Sequence, residues 1–236
     1  MEFTNMITRQ FTIDINSTQL SYYVGMDQFI LKYDEFLIEN NIKNEDKTLQ
    51  VLINKISQIQ NGFAGSSIQL LDNNYLLNAR HLFLGAYFMQ KAFQYGINIS
   101  NKRNIELLLY LTARRQIKRA LNTFGLKISE LNKGSLTFCI ISPKNNLGEI
   151  KNQILSQIST KSIKRLNIND LSVKKLEGIR NFFKITNQQI QVLFRAYNHE
   201  FSGLREEGSL QKYAKVLGDL IAEKMAKLSL EKVNLS

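Results

Sequence analysis

The sequence predicts a mixed α/β fold, in which a small β-sheet is flanked by layers of helices. Residues 22–26 and 136–141 combine β-branched and aromatic side chains, which is typical of strands. Residues 79–93 and 210–228 instead repeat apolar side chains every three or four positions, which indicates amphipathic helices. No internal repeat or low-complexity linker divides the chain, so we expect a single domain with a helical C-terminal part.

In the first third of the chain the patterns predict strands at residues 11–15, 22–26 and 67–71. A short helix followed by a loop is expected within residues 33–44. The next helix is expected to be capped by Asp46 and to end at Asn61 and Gly62.

A helix over residues 79–93 is expected to end at Gly96, and Ser100 or Asn101 is placed to cap the helix that follows it. That following segment carries two apolar faces shifted by one residue. Either it breaks near residues 112–115, or it is buried on more than one side. Further on, the patterns predict strands at 136–141 and 165–168, and helices at 147–158, 171–185, 187–197 and 209–228, the last of them capped by Ser209.

The composition is that of a globular protein, with 44% hydrophobic and 22% charged residues. Its longest apolar run, residues 107–111, is too short to cross a bilayer, and residues 1–20 lack the layout of a signal peptide. A single cysteine excludes an internal disulfide and fits a reducing compartment. These features predict a cytoplasmic protein with no membrane partner.

Positive charge is concentrated in one stretch of the chain. The net charge is +11, which favours polyanionic partners because a basic protein attracts phosphate at long range. Residues 100–127 hold seven basic side chains against one acid, Glu106. Within this stretch Arg114 and Lys118 are four residues apart, as are Arg115 and Arg119, so a continuous helix would carry two adjacent cationic rows. Three aromatic side chains near this stretch either provide stacking faces for bases or pack in the core: Tyr87, Phe88 and Tyr110.

The sequence contains few residues in patterns typical of catalytic sites. We therefore expect the protein not to be an enzyme and to need no cofactor or metal. The two histidines, His81 and His199, lie in different segments, and no set of Cys, His, Asp and Glu has metal-ligand spacing. His81 is expected to be structural or on the surface, and Cys139 to be a buried, unreactive thiol. Glu106 is expected to form a salt bridge with Lys102, Arg103 or a residue of the core.

Several motifs within residues 75–130 resemble those of a known family. The chain reads Leu-Asn-Ala-Arg-His-Leu at 77–82, Ile-Ser-Asn at 99–101, Glu-Leu-Leu at 106–108 and Thr-Ala-Arg-Arg-Gln-Ile at 112–117. This combination is similar to the kinase-binding, tRNA-recruiting subunit of the KEOPS complex, the TPRKB-like family. The strand at 136–141, residues 166–169 and the last helix fit the order of elements in that family more loosely.

The resemblance implies a non-catalytic subunit with a sheet flanked by helices. It would bind the atypical kinase-like ATPase of KEOPS, contact the other KEOPS subunits indirectly, and recruit tRNA by its single-stranded CCA end for threonylcarbamoyl-adenosine formation. The matched motifs carry over Ser100, Asn101, Arg114, Arg115 and Gln116 as RNA contacts. Lys102, Arg103, Lys118 and Arg119 are added on the ground of charge. Leu217 and Ile221, on the stripe of the last helix, are candidates for the kinase contact, and the alternative is that this stripe packs on the protein's own core.

The chain departs from the family pattern in three places. Thr112 and Ala113 stand where the family usually has Ser-Gly, and a Cβ at residue 113 would hinder close approach of RNA to the backbone. Residues 1–20 are predicted to be an N-terminal extension, and residues 187–208 an insertion. An alternative function is a DNA-binding regulator, with a helix-turn-helix in residues 105–124.

Overall fold

Five strands of the chain form one antiparallel sheet in the computed structural model, which describes residues 6–131, 135–162, 170–198 and 208–233. The strand order is β1-β2-β4-β3, and β5 pairs with the end of β2. The strands are β1 (Ile7–Ile15), β2 (Thr18–Leu31), β3 (Ser67–Leu71), β4 (Ser135–Ser142) and β5 (Thr160–Ser162).

The chain packs as two compact units, and each unit is assembled from three separate segments. Unit 1 comprises residues 1–73, 102–104 and 124–166, and it contains the sheet. Unit 2 comprises residues 74–101, 105–123 and 167–236. The single-domain organisation stays a prediction.

Unit 1 begins with a hairpin whose register runs from Ile7 opposite Met26 to Ile15 opposite Thr18. Asn16 and Ser17 have φ angles of 46° and 68°, as expected for the two-residue turns that match the twist of paired strands. Strand β2 then continues past the hairpin, so it pairs with β4 along Tyr23 to Ile30 and with β5 at its end.

Two helices of unit 1, α2 (Thr48–Asn61) and α6 (Leu147–Gln157), contribute apolar side chains to the hydrophobic core of the sheet. Leu52 and Ile56 of α2 and Ile150 of α6 are buried in one cluster with Phe29 and Phe138 of the strands. The short helix α1 (Tyr33–Glu39) adds Phe36 to the same cluster. Burial of apolar area of this kind is the main force that stabilises such a layer.

Unit 2 is helical. Its elements are α3 (Ala79–Gln94), most of α4 (Arg103–Thr112), α5 (Ile117–Phe124) up to residue 123, α7 (Val173–Phe182), α8 (Asn187–Ala196) and α9 (Ser209–Val233). The 25-residue helix α9 buries the stripe Tyr213, Leu217, Ile221, Met225 and Leu228, and it packs against α3, α7 and α8.

A glycine lets α3 and α4 approach each other closely. A Cβ built on Gly85 would lie 2.8 Å from Cδ2 of Leu111, which is closer than real Cβ contacts allow. Leu111 is fully buried, so its side chain has little room to move away. The contact therefore requires a residue without a side chain at position 85.

The mixed α/β fold is confirmed, as are the helices and strands expected within the described residues. Two local predictions are wrong. Ser209 does not cap α9, because its buried Oγ has no hydrogen-bond partner among the described residues. Asp46 does not cap a helix either. Instead, Oδ1 of Asn44 accepts a hydrogen bond from the Asp46 amide at 2.9 Å and starts a short 3-10 helix, Glu45–Lys47, ahead of α2. The strand predicted at 165–168 and His199 lie outside the described residues. No helix that the structure describes is both long and apolar enough to cross a membrane.

Candidate nucleic-acid interface

The basic stretch is interrupted where α4 ends, at a turn formed by residues 112–116. Ala113 has a φ angle of 49°, in the left-handed region. The amide of Ala113 donates to the carbonyl of Tyr110 at 2.9 Å, and the amide of Arg114 donates to the carbonyl of Leu109 at 3.1 Å. This pair of bonds is the Schellman arrangement, in which glycine usually occupies the position taken here by Ala113.

The break decides between the two alternatives for residues 105–124: the segment is two helices, α4 and α5. Arg114 and Arg115 therefore lie in the turn, and the expectation of two cationic rows along one helix is wrong. The physical reason is the left-handed residue 113, which redirects the chain so that α5 starts only at Ile117.

The turn and helix α9 enclose a cavity of about 300 Å³ within unit 2. Its lining residues are Ala113, Arg114, Arg115, Gln116, Arg119, Lys224 and Leu228. Four of these are cations, and among the described residues no acidic side chain lines the cavity. Such a concentration of like charge is unfavourable without an anion, so the cavity is suited to a phosphate-bearing ligand.

Arg114 is held in place on one side of this cavity. Its Nη2 donates to the carbonyl oxygen of Phe182 at 3.0 Å, and its guanidinium lies 5.1 Å from the centre of the Phe182 ring. The carbonyl belongs to the last turn of α7, where cations are favoured. Burial lowers the pKa of the Arg114 guanidinium below its ordinary value, and the positive charge of Arg119 lowers it further.

Arg115 brings an unsatisfied donor to the same place. Its Nη1 is buried and has no hydrogen-bond partner in the part of the chain that the structure describes. A buried N–H group without a partner costs free energy, on the order of 1–3 kcal/mol and more for a charged group. A change of the Arg115 side-chain conformation that let Nη1 meet an anion in the cavity would remove that cost.

The sequence-predicted RNA contacts divide into two groups. Arg114, Arg115, Gln116 and Arg119 are brought together at the cavity, whereas Lys118 is exposed on α5 and is not among the lining residues. Of the Ile-Ser-Asn motif, Ser100 is buried and Asn101 is exposed, in unit 2. Lys102 and Arg103 belong to unit 1. RNA contact by these residues stays a prediction.

Glu106 organises the backbone of the Ile-Ser-Asn motif. Its fully buried carboxylate accepts hydrogen bonds from the amide of Ile99 at 3.0 and 3.1 Å and from the amide of Ser100 at 2.7 Å. Charge-assisted bonds of this kind are roughly twice as strong as neutral ones. The described contacts therefore give Glu106 a structural role, in orienting residues 99–101.

Leu217 and Ile221 do not form an accessible kinase contact. Their side chains are 0% and 1% exposed inside unit 2, so they offer no surface to a partner. The apolar stripe of α9 packs on the protein's own core, because the neighbouring helices cover it. This is the alternative given in the sequence analysis. The kinase contact must use other residues.

His81 and Cys139 are both structural, as predicted. The buried His81 ring lies 3.0 Å through Nε2 from the carbonyl oxygen of Leu111, and its Nδ1 accepts from the amide of Leu77 at 3.4 Å. Burial lowers the pKa of His81 to about 4, so the ring is neutral near pH 7. Burial raises the pKa of the Cys139 thiol far above its ordinary value, which leaves it unreactive.

The three aromatic side chains considered for base stacking pack against one another within unit 2. Tyr110 is buried and hydrogen-bonded to Ser229, with 3.0 Å between Oη and Oγ, and Phe88 stacks on its ring at 5.8 Å between centroids. Tyr87 packs edge-on against Phe88. Tyr110 is therefore a core side chain, whereas Tyr87 and Phe88 are half-buried, and base stacking on those two rings stays a prediction.

Sequence reasoning missed Lys224 and Leu228, which α9 contributes to the cavity. They are four residues apart and so lie on the same face of their helix. The available signal was that Lys224 directly precedes the buried Met225 of the apolar stripe. That signal does not show which distant segment the lysine meets.

The fold and the cationic cavity are those of a mixed α/β binding protein. A comparison with known families identifies the class of binding protein. The family model described as "Kinase binding protein CGI-121" matches residues 40–227, well over half of the chain. The protein therefore belongs to the CGI-121 family of kinase-binding proteins. No curated protein is significantly similar to the chain.

Proposed function

We propose that this protein is the subunit of a KEOPS-type complex that binds the kinase-like ATPase and recruits tRNA for threonylcarbamoyl-adenosine formation. Its membership of a kinase-binding family supports the ATPase as its direct partner. It acts by binding rather than by catalysis, in the cytoplasm, and it meets the other subunits of the complex indirectly.

The cationic cavity is the single observation that carries the tRNA part of this proposal. Arg114, Arg115, Arg119 and Lys224 surround a space that is open to an anion, and Gln116 adds an amide. Cations take the phosphates of a single strand, while an amide donates to and accepts from exposed base edges. The single-stranded CCA end of tRNA presents both groups without a paired strand.

The test compares binding of intact tRNA with binding of the same tRNA lacking its three terminal nucleotides. A mobility-shift titration in low salt is expected to give affinity at least about tenfold higher for intact tRNA, since each stacked or hydrogen-bonded base contributes on the order of 1–3 kcal/mol. Equal affinity would contradict recognition of the end.

Duplex DNA of equal phosphate content serves as a competitor in the same titration. It distinguishes the proposal from the helix-turn-helix alternative, because α4 and α5 are indeed two helices separated by a short turn. Stronger competition by duplex DNA than by tRNA would favour the DNA-binding regulator. The proposal predicts the reverse order.

A further inference from the structure

Arg114 presents a planar group that is backed by an aromatic ring. Its guanidinium is 5.1 Å from the centre of the Phe182 ring, and the Phe182 ring is 4.8 Å from that of Tyr75. All three side chains are half-buried and belong to unit 2. The three side chains thus contact one another in series, with the two rings tilted by 35° to each other, and Arg114 at the end of the series lines the cavity.

Two contacts fix the Arg114 plane. One is the hydrogen bond from Nη2 to the Phe182 carbonyl at 3.0 Å, and the other is the ring of the same residue. Phe182 is itself held edge-on by Phe183 at 4.9 Å, and Phe183 is buried. A guanidinium restrained in this way loses little conformational entropy when a ligand packs against it.

The remaining walls of the cavity differ in chemistry from Arg114. Ala113 and Leu228 are apolar, while Arg115, Arg119 and Lys224 are cations. A ligand that satisfied only the cations would leave the apolar walls and the Arg114 plane without a complementary surface. A ligand that combines a flat, weakly polar group with a phosphate would match all of these groups. A volume of about 300 Å³ lies at the lower end of the range for small-ligand sites, about 300–1,000 Å³.

We infer that Arg114 is a stacking platform for one nucleobase, that Phe182 is the positioning residue beneath it, and that the cavity takes a single nucleotide rather than a phosphate alone. This inference rests on the proposed function and adds to it a ligand class and two roles. Base stacking on an arginine plane is tolerant of sequence and adds to the attraction of the phosphate.

The test measures calorimetrically how tightly the full chain binds adenosine 5′-monophosphate and ribose 5-phosphate, which differ only by the base. The wild-type protein is expected to bind the nucleotide about 5- to 100-fold more tightly, the ratio that corresponds to one stacked base. Equal affinities, or no binding of either compound, would overturn the inference.

The variant Arg114→Lys keeps the charge and removes the plane. It is expected to reduce the preference for the nucleotide to below about twofold while affinity for ribose 5-phosphate changes little. Arg119→Lys is the matched control, because Arg119 also lines the cavity, and it should retain the preference. Loss of preference in both variants, or in neither, would contradict the role of Arg114.

Phe182 is tested by a pair of variants. Phe182→Leu removes the ring and is expected to weaken nucleotide binding selectively, whereas Phe182→Tyr keeps the ring and should restore it. A purely structural role would change affinity for both compounds together, and that result would contradict the positioning role.

Failure of this inference can be told apart from failure of the proposed function. Binding of tRNA with and without its CCA end is measured independently of binding of the two small compounds.

Discussion

Ala113 occupies a backbone position that an L-amino acid rarely adopts. Its φ of 49° places it at the left-handed end of α4, and the two hydrogen bonds of the Schellman motif hold it there. The left-handed conformation costs a residue with a Cβ about 1–2 kcal/mol, and glycine avoids this cost. Ala113→Gly is therefore expected to raise the free energy of unfolding by about 0.5–1 kcal/mol, after the greater entropy of glycine in the unfolded chain is counted.

Chemical denaturation of the two proteins measures this difference. The matched control is Ala222→Gly, the same substitution inside helix α9, which should lower stability by about 1 kcal/mol. A loss of stability in both variants would show that residue 113 is not strained. The comparison also bears on the site, because the turn at residue 113 brings Arg114 and Arg115 to the cavity.

At the residue scale, the sequence alone identified those residues of the site that lie close together in the chain. Arg114, Arg115, Gln116 and Arg119 were identified because charge and motif coincide within six residues, and all four line the cavity. Lys224 and Phe182 were not identified, because they come from helices far away in the sequence, and neither charge nor spacing shows which distant side chains meet.

Helices α3 and α4 are joined through the ring of His81. Nδ1 accepts from the amide of Leu77, just before α3, and Nε2 lies 3.0 Å from the carbonyl oxygen of Leu111, near the end of α4. Both contacts are satisfied by the neutral ring, with its proton on Nε2. A second proton would place an N–H group on Nδ1 against the N–H of Leu77.

The pKa of His81 is lowered from 6.5 to about 4 by burial, so the unfolded chain binds the proton first as the pH falls. Protonation between pH 6.5 and 4 therefore favours unfolding: the stability is complete above this window and is lost through it. Between pH 7 and pH 5 the loss is expected to be about 2 kcal/mol. Denaturant unfolding at the two pH values measures it.

Replacement of each histidine separates this contribution from other titrating groups. His81→Gln is expected to flatten the pH dependence, while His199→Gln, which removes the only other histidine, should keep it. The same pH dependence in His81→Gln as in the wild-type protein would contradict the assignment to His81.

At the element scale, periodicity predicted the helices and most of the strands of the described chain, because these have a clear apolar pattern. It missed β5 and the last residues of β2, and three residues such as Thr160–Ser162 are too few to show a pattern. The two shifted faces of residues 105–124 already suggested a break, and the structure places it at residue 113. The pattern did not show that α9 is buried by its own unit and not by a partner, because an apolar stripe looks the same in both cases. The burial of Leu217 and Ile221 answers that question.

For the whole molecule, a net charge of +11 attracts nucleic acid of any kind, so weak binding alone does not locate a site. Part of the basic stretch is already neutralised, since Lys127 lies 3.5 Å from the carboxylate of Asp72. The proposed tRNA binding differs from net attraction, because it depends on the four cations of one cavity. A test must therefore change the position of charge while the total charge is kept equal.

The most direct measurement compares two double variants in tRNA binding at physiological salt. Arg119→Glu with Lys224→Glu reverses two cavity charges, and Lys174→Glu with Lys212→Glu reverses two exposed lysines outside it. Each reversal lowers the net charge by two, so both proteins fall from +11 to +7. The cavity variant is expected to lose at least about tenfold in affinity and the control less than about threefold, with unchanged unfolding midpoints. Equal losses would show that only the total charge matters, and would contradict the assignment of the site.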